Sequence, residues 1–291
     1  MKTLLIALLL LAAIPALCAP RQIVVADVPS RPGVTQRILV ATPERALATV
    51  VLFAGGERPL GIQRDGSVVW GGPSLLVRSA PLFVDAGFRV AIVDLPSDKQ
   101  TGALGDYRES LEHAADIAAV IAYLRRSSHL PLWLAGVGSG AVSVLNAAVG
   151  LQQGGPDGIV FPAGAPEAGP FAARLNEVRV PALVVRKASD LCAERDDAET
   201  AAFLARLEHS PRAAQLAVKG RASPDDRCKP SPVHGYLGME RAWIDAIAAW
   251  IKPFLKPRQY EQDQPHSNIL ETRFQALKFP ERLCTMLLAQ E

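Results

Sequence analysis

Pro131-Leu-Trp-Leu-Ala-Gly-Val-Gly-Ser-Gly-Ala-Val-Ser143 is the stretch on which the reading of this chain turns. An apolar run ends in a cluster of small residues, and a helix-like run from Ala141 to Leu151 follows at once. That is a strand, a sharp turn and a helix. A Gly-x-Ser-x-Gly frame at such a turn lifts a serine Oγ above the sheet. Here the frame is Gly136-Val137-Gly138-Ser139-Gly140, so its centre is Gly138 and the serine stands one place late. A tight turn needs small residues two places either side of its tip. Centring on Gly138 supplies Gly136 and Gly140, whereas centring on Ser139 puts the β-branched Val137 in the crowded position. Two readings follow. Either Gly138 is the elbow tip and Ser139 starts the helix, as an N-cap whose backbone N–H faces the site, or the turn slips by one residue and Ser139 is a nucleophile.

The chain begins with Met1-Lys2, an apolar run from Leu4 to Ala13, and Ala16-Leu-Cys-Ala19. A basic start, an apolar stretch and small residues read as an export signal over residues 1–19, with cleavage after Cys18 or Ala19. Lipidation of Cys18 is disfavoured by the bulk of Leu17. The expected destination is the periplasm or the exterior. No later run is long enough for a membrane span. A net charge of +2, with both signs mixed along the chain and no basic stripe, gives no case for nucleic acid. An apolar content of 49% argues against disorder.

Outward from the elbow, strands and helices alternate. Gln22 to Asp27 and Gln36 to Thr42 predict an opening hairpin, split by Pro29-Ser-Arg-Pro-Gly33. Ala46 to Phe53, Arg89 to Leu95, Gly158 to Pro162, Val180 to Arg186 and Ala213 to Val218 predict strands, most of them buried on both faces. Leu75 to Ala86, Leu111 to Arg126, Ala198 to Leu207 and Met239 to Leu255 predict helices, with Pro81 a difficulty in the first. In the second, Ala114, Ala115, Ile117, Ala118, Ile121 and Leu124 predict the apolar face. The fold class is therefore α/β, a mostly parallel sheet flanked by helices, in one domain over residues 20–255. Residues 256–291 carry glutamines and mixed charge without strand–helix alternation, and read as an appendage of low order.

In such sheets ligands sit beyond the carboxyl ends of the strands. Asp190 follows one buried strand and suits the acid that holds a histidine in its tautomer, or else a turn residue. His234, in Ser231-Pro-Val-His-Gly-Tyr236 before the closing helix, stands where a catalytic base would. Gly55-Gly56-Glu57 ends another buried strand, and the Gly56 N–H is a candidate oxyanion donor together with that of Gly140. Cys192 and Cys228 flank the candidate acid and base, and a disulfide between them would tie the two loops together in an oxidising compartment. Cys284 is left unpaired. No Cys/His cluster has metal-ligand spacing, and no cofactor is implied.

Taken together, the chain resembles the exported α/β-hydrolases of bacteria over most of residues 22–255. The resemblance rests on Leu52-Phe-Ala-Gly-Gly56, Leu75-Leu-Val-Arg-Ser79, Val93-Asp-Leu-Pro-Ser-Asp98, His113-Ala-Ala-Asp-Ile117, the elbow, Asp190-Leu-Cys192 and His234-Gly-Tyr-Leu-Gly238. It implies a Ser–His–Asp triad that hydrolyses an ester or a similar acyl compound, with Asp190 as acid and His234 as base. The family's serine falls on Gly138. Two classes of function stay open. One is a serine hydrolase using a shifted Ser139, with Gly56 and Gly140 as oxyanion donors. The other is a non-catalytic relative that binds an acyl ligand or a protein partner in the same cleft.

Overall fold

Beyond the backbone hydrogen bonds, the sheet is held by continuous apolar strands. A computed structural model of the protein describes residues 22–188, 193–219, 236 and 238–255, with the side chains of 193–196 excluded. Its strands are β1 (Gln22–Arg31), β2 (Val34–Thr42), β3 (Ala48–Phe53), β4 (Phe88–Pro96), β5 (Leu132–Gly136), β6 (Gly158–Phe161), β7 (Ala182–Lys187) and β8 (Ala213–Val218). Its helices are α1 (Leu75–Asp85), α2 (Leu111–Arg126), α3 (Ser139–Gly150), α4 (Ala193–Ala205) and α5 (Glu240–Ile251). The strands form one sheet in the order β1-β2-β4-β3-β5-β6-β7-β8. β1 and β2 pair antiparallel, as do β2 and β4, and every later pairing is parallel. This is the mostly parallel sheet that the strand–helix alternation predicts.

Every residue of β3, β4, β5 and β6 is buried, because helices cover both faces. One face packs Leu76, Phe83, Trp133, Trp243 and Ile247 together, and the other Phe53, Ile117, Leu134, Val144 and Phe161. Pro81 does not end α1. An interior proline costs about 3 kcal/mol, but fully burying a side chain such as Leu76 or Phe83 returns roughly 1.5–3 kcal/mol each. Tertiary burial therefore outweighs the local penalty.

Three features depart from the sequence reading. The opening hairpin is longer than expected, reaching Arg31 and resuming at Val34. The buried face of α2 is turned away from Ala115, which is exposed, and includes His113, Asp116 and Val120. The chain between β3 and α1 folds back on itself, with Ile62 and Val68 bridged antiparallel. At the base of that loop Trp70 lies over Gly61 and stays 62% exposed.

The rotated face of α2 has a reason in charge. Arg31 binds Asp116 in bidentate fashion at 2.9 and 3.0 Å, and the Tyr107 hydroxyl donates to the same carboxylate at 2.6 Å. This fastens the end of β1 to α2. Burial pushes the Asp116 carboxyl up, but hydrogen bonds led by Arg31 outweigh it and hold the group below its ordinary 3.8. A depressed carboxyl contributes stability above its unfolded pKa and loses it as the pH falls through the folded value. At neutral pH, Asp116→Ala is expected to cost about 1.5–3 kcal/mol, the scale of losing hydrogen bonds to a charged group, because Arg31 keeps Asp98 and Glu112 as partners. Asp98→Ala, removing a partner of Arg31 that is more exposed than Asp116, is expected to cost under about 1 kcal/mol. Urea unfolding measures both, and the Asp116→Ala and wild-type curves should converge as the pH falls below the ordinary carboxylate range.

Candidate active site

The elbow is built by backbone crowding. β5 ends at Gly136, and α3 begins at Ser139 with Gly138 as its N-cap residue. Gly138 has φ +56° and ψ −130°, a conformation that costs an L-residue roughly 1–3 kcal/mol. The Val137 N–H donates to the Phe53 carbonyl at 3.3 Å, which fixes the turn against the end of β3. A Cβ on Gly140 would fall inside the Phe53 carbonyl, and one on Gly136 inside the Gly140 carbonyl. A Cβ on Gly55 would lie 2.6 Å from the Val137 oxygen. At Gly138, by contrast, the nearest atom to an added Cβ is the Gly55 Cα at 3.9 Å, so the tip has room for a side chain.

Ser139 is the first helical residue of α3, one place beyond the N-cap position expected of it, and its hydroxyl makes no cap. Its Oγ accepts from the Gly56 N–H at 2.9 Å and donates to the Gly56 carbonyl at 3.2 Å. Ser139 thus uses the very N–H that the sequence offers as an oxyanion donor. The Gly140 N–H donates to the Val137 carbonyl at 3.0 Å, which closes the turn. Asp190, Cys192, Cys228 and His234 lie outside the described residues, as do residues 1–21 and the chain from 256 onward. Asp197, on α4, is ion-paired with Arg186 and accepts from the Gln215 amide at 2.5 Å.

Two buried groups beside the elbow escaped sequence reasoning. Arg108 comes from a short 3₁₀ turn, Gly105–Glu109, that precedes α2. Its guanidinium donates to Ser143 Oγ at 2.8 Å, to the Gly56 carbonyl at 3.1 Å and to the Ala54 carbonyl at 3.4 Å. The Asn146 amide donates to the Arg108 and Ser110 carbonyls at 3.0 and 2.9 Å, which pins the same turn to α3. Burial lowers the Arg108 pKa. His113 lies against Tyr107 with ring centroids 4.6 Å apart and planes tilted by 56°, and burial followed by the Arg108 charge pushes its pKa down to about 3. It is therefore neutral at pH 7. A signal existed only for the position, since a charged residue just ahead of an amphipathic helix ordinarily faces solvent.

Asp94, at the end of β4, also serves this region. Its carboxylate accepts from the N–H groups of Leu60, Ile62 and Leu95 at 2.6, 2.9 and 2.8 Å. The loop after β3 is thus strapped to β4. Among the described residues no group of His, Cys, Asp and Glu could hold a metal ion, and no helix is long and apolar enough to cross a membrane.

The crowding sets an expected order of cost. Gly140→Ala should destabilise the protein by about 3 kcal/mol or more, because backbone atoms must move. Gly138→Ala should cost only about 1–2 kcal/mol, from its φ alone. Denaturant midpoints of the two variants check this order.

No protein-family profile matches the chain, and no curated protein sequence matches it. Solved structures do. A dienelactone hydrolase from Anabaena variabilis superimposes with a TM-score of 0.53 at 18% identity, covering 79% of this chain and 97% of that one. An esterase from Pyrococcus furiosus gives 0.55 at 13% identity over 80% and 91%. A cold-adapted esterase from an Arctic intertidal metagenomic library gives 0.51 at 14% identity over 79% and 93%. Together with the strand order and the elbow, these similarities show that the chain has the α/β-hydrolase fold.

Proposed function

We propose that this protein is a non-catalytic member of the hydrolase fold, binding an acyl compound in the cleft at the elbow without forming an acyl-enzyme on Ser139. The observation that carries this reading is the elbow itself. The strained φ/ψ of a nucleophile turn belongs to Gly138, and the Ser139 hydroxyl is bonded to both polar groups of Gly56. A shifted Ser139 would need to leave both bonds, and its two candidate oxyanion donors, Gly56 and Gly140, are already donating to Ser139 and Val137.

In this reading Asp190 and His234 are the acid and base of the ancestral site, brought together at the carboxyl end of β7, with Cys192 and Cys228 bridged beside them. Support comes from Tyr236, two residues after His234. Its hydroxyl donates to the Val185 carbonyl at 3.3 Å, its ring stacks on Trp243 at 5.4 Å, and Lys187 Nζ lies 5.7 Å from the ring centroid. The chain returning from the histidine loop therefore meets the strand that leads to Asp190.

The wild-type protein is expected to resist fluorophosphonate labelling while gaining thermal stability from short-chain acyl esters, since a ligand that binds only the folded state raises its melting temperature. Gly138→Ser combined with Ser139→Ala puts a hydroxyl at the tip and frees the Gly56 N–H. That pair should become labelled and should raise ester hydrolysis by at least about 10²-fold, the scale of one positioned general base. Labelling of the wild type at Ser139, abolished by Ser139→Ala, would instead establish the serine-hydrolase reading.

A further inference from the structure

A small cavity of about 20 Å³ lies beneath the loop that follows β3, lined by Phe53, Gly55, Arg58, Leu95, Arg108 and His113, with Asp94 among its walls. Arg108 is 8% exposed and His113 is 3% exposed. Arg108 Nε, His113 Nδ1 and His113 Nε2 are buried without a hydrogen-bond partner among the described residues. Buried polar groups are almost always satisfied, so three orphans on one cavity call for an occupant.

The charge of Arg108 says what kind. Its three acceptors, Ser143 Oγ and the carbonyls of Ala54 and Gly56, are neutral, and among the described residues no carboxylate lies within ion-pair distance. A buried cation with no counter-charge in contact is costly. The Glu57 charge acts on Arg108, but from solvent and without an ion-pair contact among the described residues. Asp94 is held by three backbone N–H groups, Asp116 by Arg31 and Tyr107, and Glu57 is exposed to solvent. A water molecule would satisfy the donors but not the charge.

We propose that this cavity binds one small monovalent anion of chloride size, held by Arg108, by the N–H of His113 and by Arg58 at its mouth. The volume admits one water-sized occupant, for which roughly 10–15 Å³ suffices, and excludes sulfate or phosphate. His113, being neutral, contributes a donor rather than a second charge. The site rests on its own residues and is independent of the nucleophile question. Because Arg108 also bonds the carbonyls of Ala54 and Gly56, occupancy would stiffen the loop on which the elbow rests.

The test uses the full chain in halide-free gluconate buffer, at constant ionic strength. Chloride or bromide should raise the melting temperature saturably, and sulfate at matched ionic strength should not. Formate distinguishes a free halide site from one that takes carboxylate groups, since a response to formate as strong as that to chloride would overturn chloride-sized selectivity. Bromide-soaked crystals should show anomalous density within about 4 Å of the Arg108 guanidinium, the range of a charge contact. Arg58→Gln, a surface change that spares the fold, should weaken the apparent chloride affinity roughly tenfold, the factor that corresponds to 1.4 kcal/mol. Equal stabilisation by all salts, an absent bromide peak, or an unchanged affinity in Arg58→Gln would overturn the proposal.

Discussion

The turn after β5 lies so close to the chain leaving β3 that Gly55 on one side and Gly140 on the other have no room for a Cβ. Gly55, Gly136 and Gly140 each face a backbone oxygen of the opposing segment or of the turn itself. This contact sets the height of the elbow over the sheet, aims α3 away from it, and brings Ser139 within reach of Gly56. The strain of the turn is carried by Gly138, which accepts a positive φ without steric cost.

Arg31, partly covered, and Arg108, buried, show how differently one fold treats the same charge. Arg31 is matched by Asp116 and Asp98, and the pair joins the first hairpin to α2. Arg108 instead leans on a hydroxyl and two carbonyls. The first is an architectural fastening. The second holds a cation under the loop that follows β3. Its field is already written on His113, whose ring is driven neutral by burial and by that neighbouring charge.

The fold was legible because its central strands are largely apolar and its helices have apolar faces, so that periodicity and alternation mark nearly every element. The elbow was legible because three glycines at alternate positions have a steric meaning. The face of α2 was misread at Ala115 because small apolar residues were counted as core, whereas the helix buries His113 and Asp116 to meet partners far away in sequence. Asp94, Arg108 and the folded-back loop were not legible for the same reason. Their roles depend on contacts across 32 to 54 residues, which no local pattern encodes.

The chain has four tryptophans, and they are unequally placed. Trp133, Trp243 and Trp250 are buried between the sheet and α5, whereas Trp70 stands largely in water on the loop that Asp94 straps to β4. Collisional quenchers in solution therefore reach one indole and leave three nearly untouched. Because the Trp70 backbone N–H is bonded to Leu60, whose side chain lines the cavity, that quenchable fraction of the emission is a built-in optical gauge of the loop. It reads motion beside the elbow without a label and against a constant internal background.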